Sequence, residues 1–331
     1  MSPNAASAHP DTQSLSYIVR SGLAGGVAGC VAKTVVAPLD RVKILFQASN
    51  PDYQKYAGTW TGAFRAVKEI NKQQGVRGLF QGHSATLLRV FPYAAIKFMA
   101  YDQVHYLLMP TREQETNLRR FLAGAISGTL SVFCTYPLEV VRVRMAFQTR
   151  RRDQTVANHR PSFLDTARYI YHEGTASLDS QPRVSSSRNL LERHPILKFY
   201  RGFTVTVLGM IPYAGVSFLS WGFLRSVFVQ PTETGRKKAT PLADLAIGAV
   251  SGAISQTASY PFEVTRRRMQ VGGITRPDRW LRWGETVKSI WQTSGWRGFY
   301  VGLSIGYLKI IPMTAVSFTV WQNGKRMLNV D

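Results

Sequence analysis

A proline, an acid and a base recur three times in this chain at one fixed spacing. The copies read PLDRVK, PLEVVR and PFEVTR, and they begin at Pro38, Pro137 and Pro261. In each copy, called a signature below, the acid and the base lie three residues apart and so share one helix face. One copy would indicate a surface ion pair of little energetic weight. Three copies are an internal repeat, and a repeat decides how the whole chain is organised.

Ion pairs between repeats are the chemistry that the signatures offer. Proline removes a backbone hydrogen bond and kinks a helix. If three kinked helices converge around a pseudo-threefold axis, each acid meets the base of the next repeat and a ring closes one end of a cavity. Charges at the ends of membrane-buried helices usually face an interior, so we favour this ring over three solvated helix ends. The expected pairs are Asp40–Arg142, Glu139–Arg266 and Glu263–Lys43.

Further bases stand inside apolar stretches. Lys33 lies in the glycine-rich run GLAGGVAGCVAKTVV, where a lysine is costly unless it faces water or a partner. Arg89, Tyr93 and Lys97 follow one another at four-residue spacing and share a helix face. Two bases and an aromatic ring on one face suit an anion that carries a ring. The alternative is that the bases extend to the membrane interface.

The composition restricts the possible partners. The net charge is +22, with 41 Lys and Arg against 19 Asp and Glu. Such a charge fits nucleic acid, anionic lipid or an anionic small substrate. A nucleic-acid-binding protein would explain the charge but not the apolar, glycine-rich helices, so we expect no nucleic acid. No catalytic cluster is visible, and the two cysteines lack metal spacing. We therefore expect no enzyme, metal or cofactor.

The order of elements predicts an all-α membrane protein. Six helices of spanning length fall into three pseudo-threefold repeats, each with a short surface helix. Two surface helices are predicted at Thr61–Gln73 and Trp283–Thr293. The expected units are a polar tail at 1–14 and repeats at 15–112, 113–232 and 233–331. The second repeat contains an insertion at about 175–196, which we interpret as a surface loop.

The triple signature, together with an aromatic-x-Gly pattern downstream of each copy, resembles the mitochondrial carrier family over nearly the whole chain. The resemblance implies a monomeric six-helix barrel with alternating access in the inner mitochondrial membrane, surface helices on the matrix side, and signatures that form the matrix gate. It places Gln47 and Gln270 at glutamine-brace positions, where the second repeat has Ala146. Two braces are therefore expected.

The family's cytoplasmic gate pattern is incomplete here. The family has an aromatic-acid-x-x-base pattern on the second, fourth and sixth spanning helices, called the even helices. This chain keeps one acid of the pattern, Asp102, and two bases, Arg225 and Lys325. At most one full ion pair, Asp102 with Arg225, is available. We therefore expect the matrix gate to be the stronger one and the resting protein to be open to the cytoplasm.

Substrate contacts in the family lie midway along the even helices. By this resemblance the contact positions are Arg89, Gly209–Met210 and Lys309. Gly209 would leave a slot, Met210 and Tyr213 would sandwich a purine, and Lys33, Arg89 and Lys309 would hold phosphates. The alternative for Gly209 is close helix packing.

The runs SYPFEVTRRRMQVGG and AAIKFMAYDQ look most like the coenzyme A carrier branch, which includes the Graves disease carrier. The ATP-Mg/phosphate carriers and the ADP/ATP exchangers are the alternatives. The resemblance also implies cardiolipin, bound where helix starts offer backbone N–H groups to phosphate. The matching glycines, for which a tight turn is the other explanation, are Gly58, Gly82, Gly202 and Gly302.

Overall fold

The structure is a computed structural model that describes residues 15–59, 61–110, 115–149, 162–173, 194–228, 241–275 and 281–327. All regular secondary structure in these ranges is helical. The predicted tail at 1–14 lies outside the described residues, and so does nearly all of the predicted insertion at 175–196.

Six long helices form the body of the protein, and the sixth is built from two consecutive segments. They are α1 (Leu15–Gln47), α4 (His83–Leu108), α5 (Asn117–Phe147), α7 (Phe203–Phe228), α8 (Pro241–Thr275), and α10 (Leu303–Leu308) with α11 (Ile310–Met327). The short helices between them are α2 (Gly62–Gln74), α3 (Val76–Leu79), α6 (Phe163–His172) and α9 (Trp283–Ser294). Single 3₁₀ segments occupy Gln54–Tyr56, Pro195–Tyr200 and Trp296–Tyr300. The surface helices predicted in repeats 1 and 3 are thus found within one residue of their expected ends.

The long helices form a ring in chain order. The most extensive contacts join α4 to α5, α7 to α8, and α11 back to α1. By length and composition, three stretches of the described chain are apolar enough to cross a membrane, at Leu118–Phe147, Pro195–Phe228 and Trp296–Met327. The other three long helices are not among these stretches but are 33, 26 and 35 residues long, which suffices to span a bilayer. Large apolar side chains such as Phe98, Leu219 and Ile311 are exposed, as lipid contact requires.

The three proline helices α1, α5 and α8 converge at one end of the ring. Pro38, Pro137 and Pro261 all lie inside their helices. Beyond the prolines, apolar side chains from all three helices pack into one buried cluster, which includes Ile44, Phe147 and Val271. This cluster, with the charged residues just inside it, makes up the closed end of the ring.

The sixth long helix differs from the expected continuous span. It is interrupted at Lys309, between α10 and α11, although Lys309 keeps a helical backbone conformation (φ −80°, ψ −17°). Pro312 explains the break, because it cannot donate the hydrogen bond that the Leu308 carbonyl would accept. The interruption falls at a predicted substrate contact.

Candidate functional site

Each signature acid lies against the base of the next repeat at the closed end. Glu263 and Lys43 are 2.8 Å apart, and Glu139 and Arg266 are 2.9 Å apart. Asp40 and Arg142 form the longest of the three pairs, at 3.4 Å. The threefold ring of contacts expected from the sequence is therefore present in the structure.

Glu139 is the most heavily engaged carboxylate of the ring. Its side chain is only 1% exposed. Besides Arg266 it binds Arg267, at 2.6 Å, and Arg89, which reaches across from α4. Arg89 also lies over the ring of Tyr93, at 5.4 Å from the ring centre. One carboxylate thus holds three guanidinium groups, and one of them belongs to a predicted substrate-binding residue.

Asp40 has a similar position in the first repeat. Lys309 Nζ donates to Asp40 Oδ1 at 2.8 Å, while Arg142 approaches the other carboxylate oxygen. Lys33 is half-buried, and the polar contact of its Nζ is the sulfur of Met313 at 3.7 Å. Two of the three predicted phosphate-binding bases, Arg89 and Lys309, are therefore bound to ring carboxylates, while Lys33 has no carboxylate partner among the described residues.

Tyrosine–glutamine hydrogen bonds support two of the three ion pairs. Each tyrosine immediately precedes a signature proline, and each glutamine follows a signature base by one helical turn. The glutamine amide donates to the tyrosine hydroxyl, which donates onward to a backbone carbonyl just before the next long helix. The two sets are Gln47–Tyr260–Val301 (3.0 and 3.1 Å) and Gln270–Tyr136–Arg201 (3.1 and 2.9 Å).

The Asp40–Arg142 pair lacks this support. Ala37 stands at the tyrosine position and Ala146 at the glutamine position. A small cavity lies at this joint, lined by both alanines and by both partners of the ion pair. The longest ion pair of the ring is thus the one without a brace.

Rebuilding the brace is expected to stabilise the protein. In the double variant Ala37→Tyr/Ala146→Gln the new side chains extend into this joint and can reproduce the hydrogen bond of the other two joints. One such bond contributes about 0.5–1.5 kcal/mol, so the melting temperature in detergent should rise by a few degrees. Each single variant leaves its polar group without the intended partner and should gain less. A double variant no more stable than either single variant would contradict the prediction.

The remaining predicted substrate residues have mixed surroundings. Lys97 is exposed, and Tyr213 is about half exposed, at 47%. Met210 packs against the buried cluster around Tyr136. A Cβ added at Gly209 would lie 2.9 Å from Cβ of Phe262. The contact accounts for this glycine by close packing of α7 on α8, so the expected open slot for a purine at Gly209 itself is not what the structure provides.

The predicted cytoplasmic gate residues are not brought together. Asp102 is exposed, and Lys325 Nζ lies over the ring of Trp321 on its own helix, at 4.8 Å. Among the residues that the structure describes, no ion pair joins Asp102, Arg225 and Lys325. The ion pairs at this end of α4 and α5 instead join Glu115 to Arg120 and His105.

The four predicted lipid-binding glycines all have left-handed backbone, with φ between +80° and +94°. Gly82, Gly202 and Gly302 each immediately precede a long helix and lie close to a neighbouring proline helix. Gly58 and Gly302 line one groove of about 510 Å³ together with Arg268 and Arg297. Both explanations of these glycines, a tight turn and a site for an anionic headgroup, fit this geometry.

Two groups of functional residues were missed in the sequence. The first group lies at the ring and consists of Arg267, Tyr136 and Tyr260. Arg267 binds Glu139 and directly follows the base of the third signature. The two tyrosines could have been found, because each directly precedes a signature proline. The other group is buried: Glu173, at the end of α6, binds Arg144 at 2.5 Å and Arg201 at 2.7 Å. This second network ties the surface helix of repeat 2 to α5 and to the chain before α7.

The comparisons with known proteins agree with this architecture. The mitochondrial carrier protein family matches residues 14–112, 113–232 and 237–331. The mitochondrial carrier protein LEU5 of Saccharomyces cerevisiae is 44% identical over 95% of this chain and 92% of its own length. Solute carrier family 25 member 16 of Homo sapiens is 38% identical over 95% and 90%. The mitochondrial coenzyme A transporter SLC25A42 of Xenopus tropicalis is 36% identical over 92% and 84%.

A ring of six long helices in three repeats, closed at one end by ion pairs between the repeats, defines a membrane carrier. The chain belongs to the mitochondrial carrier family, and it is a mitochondrial membrane protein. Within that family it is similar to the coenzyme A carrier branch.

Proposed function

We propose that this protein carries coenzyme A, or a related adenine nucleotide such as adenosine 3′,5′-diphosphate, across the inner mitochondrial membrane. The observation that carries the proposal is the concentration of bases at the closed end, where Arg89, Lys309 and Lys33 add positive charge to that of the signatures. Phosphate oxygens accept strong charge-assisted hydrogen bonds from such groups.

Alternating access requires a gate at each end of the ring, and the two gates open in turn. The ion pairs between the repeats act as the matrix gate, with Gln47 and Gln270 as its braces. Asp102, Arg225 and Lys325 act at the cytoplasmic end. Because that end offers fewer possible pairs, the closed matrix gate and an open cytoplasmic side are the resting state. A charged substrate then enters from the cytoplasmic side and reaches the bases at the closed end.

Coenzyme A is favoured over other nucleotides by the relatives. One of them is named a mitochondrial coenzyme A transporter, and it aligns with 92% of this chain. Tyr93 offers its ring beside Arg89 for the adenine, and Tyr213, about half exposed on α7, is the second candidate ring. Gly209 contributes by letting α7 approach α8 closely.

Cardiolipin is the proposed lipid partner of the monomer. One groove is lined by backbone at the start of α10 and by two guanidinium groups. Its lining includes Gly58, Gly302, Arg268 and Arg297. An anionic headgroup suits both, because free N–H groups at a helix start attract phosphate. Gly82 and Gly202 are the corresponding positions at the other two joints.

Uptake into liposomes tests the proposed function. Purified protein is reconstituted with cardiolipin, and uptake of labelled coenzyme A is compared with uptake of ADP and of ATP-Mg. We expect saturable uptake of coenzyme A that unlabelled adenosine 3′,5′-diphosphate inhibits. Uptake of ATP-Mg or ADP without uptake of coenzyme A would assign the protein to a different nucleotide carrier class.

A further inference from the structure

The charged groups at the closed end form one cluster with a large excess of positive charge. Three carboxylates, those of Asp40, Glu139 and Glu263, are surrounded by seven bases. The bases are Lys33, Lys43, Arg89, Arg142, Arg266, Arg267 and Lys309. This set is called the floor cluster, and its formal charge is +4 if every group is ionised.

Every carboxylate of the floor cluster is already engaged. Glu139 is bound by three guanidinium groups, Asp40 by an ammonium and a guanidinium, and Glu263 by the ammonium of Lys43. Among the described residues, the polar contact of Lys33 is the Met313 sulfur, and Lys33 lies within electrostatic reach of Asp40 and Lys309. The excess cations therefore repel one another until an anion enters, since charges are poorly screened in a partly buried site.

A divalent metal ion finds no ligands in this cluster. Mg²⁺ requires oxygen ligands in octahedral geometry and is usually held by one or two carboxylates in addition to substrate phosphates. Here the carboxylates face bases, and a second cation beside them would add to the repulsion. A nucleotide that arrives as its Mg²⁺ complex also brings two fewer negative charges.

We infer that the floor cluster selects a metal-free anion that carries about four negative charges. The inference rests on the proposed function and narrows its substrate class. Coenzyme A fits, because its phosphomonoester carries close to −2 at neutral pH and its diphosphate diester adds about −2. Adenosine 3′,5′-diphosphate fits because it carries two phosphomonoesters. Dephospho-coenzyme A, with about half that charge, and Mg²⁺-bound ATP do not fit. The selection is made by the charge of the whole cluster, including bases that belong to the gate.

Arg267 separates this effect from contacts of individual substrate-binding residues. It contributes one positive charge to the cluster through Glu139 and is only 11% exposed. Arg65 is an arginine that lies exposed on the surface helix α2. Arg267→Gln and Arg65→Gln remove the same charge from the chain, and only the first removes it from the floor cluster.

Binding of four probes to the purified full-length protein, measured by thermal shift titration, tests the inference. We expect coenzyme A to bind at least about tenfold more tightly than dephospho-coenzyme A, and ATP in EDTA at least about tenfold more tightly than ATP in excess Mg²⁺. Arg267→Gln should reduce both ratios by about threefold or more, while Arg65→Gln leaves them unchanged. Magnesium chloride without nucleotide serves as the blank.

The outcomes distinguish the inference from the proposed function. If coenzyme A binds but dephospho-coenzyme A and Mg²⁺-bound ATP bind equally well, selection by charge is wrong while the coenzyme A assignment stands. Equal ratios in the Arg267→Gln and Arg65→Gln variants would also overturn selection by the cluster. If ATP in EDTA binds and coenzyme A does not, the charge rule stands and the coenzyme A assignment fails.

Discussion

The Glu139→Gln variant is expected to lose several kcal/mol of stability, more than any other single change at the closed end. Glutamine keeps the shape of the side chain but removes the negative charge on which Arg89, Arg266 and Arg267 converge. Breaking one partner of a buried ion pair costs about 3–5 kcal/mol, because the remaining charge is left uncompensated. Three guanidinium groups would then face each other across a neutral amide.

Glu263→Gln is the matched control for this prediction. Glu263 occupies the same place in the third signature, but its side chain is 27% exposed, and among the described residues its ion pair is with Lys43, which is 6% exposed. Glu263→Gln therefore leaves one buried base without its partner, where Glu139→Gln leaves three, and the loss should be smaller. Melting temperatures of both variants, measured in one detergent with added cardiolipin, should therefore differ clearly. Equal losses of melting temperature in the two variants would show that the three bases around Glu139 do not make it more important for stability than Glu263.

Which acid meets which base could be predicted from the sequence because the three signatures are copies. Symmetric copies put their charges at the same height, so one threefold axis defines all three pairs. The braces followed the same rule, and the place where the repeat fails was also visible, since Ala146 replaces glutamine. The length of the Asp40–Arg142 pair is consistent with that gap.

The contacts of Arg89 and Lys309 with ring carboxylates could not be predicted in this way. Each joins a residue on the second or sixth long helix to a proline helix of another repeat. Their height relative to the signatures depends on where the helices bend, and the break at Lys309 shows that the bend is local. Spacing along the chain does not determine such a bend.

Arg267 was missed for a different reason. Neighbouring residues of an α-helix point about 100° apart, so a base directly after Arg266 is expected to face away from the ring. In the structure both arginines reach the same oxygen of Glu139, at 2.9 and 2.6 Å. A long, flexible guanidinium side chain overcomes the helical angle when a buried carboxylate lies between the two directions.

The Lys309→Ala and Arg89→Ala variants are expected to lose transport while remaining folded. Without Lys309, Asp40 keeps Arg142, and without Arg89, Glu139 keeps Arg266 and Arg267, so neither carboxylate is left without a base. The substrate, by contrast, loses a partner for its phosphates. Truncating one member of a buried, hydrogen-bonded charge pair costs about 2–5 kcal/mol, so uptake of coenzyme A into liposomes should fall at least about thirtyfold.

Lys288→Ala and Arg65→Ala are the controls, because both residues are exposed on surface helices and carry the same charges as the test residues. Their uptake rates should match the wild type. The melting temperatures of all four variants without substrate should stay close to that of the wild type, and only Lys309→Ala and Arg89→Ala should lose the stabilisation by coenzyme A. Normal uptake in either of those two variants would mean that the phosphates bind elsewhere. The contacts of Arg89 and Lys309 with the ring carboxylates would then serve the gate alone.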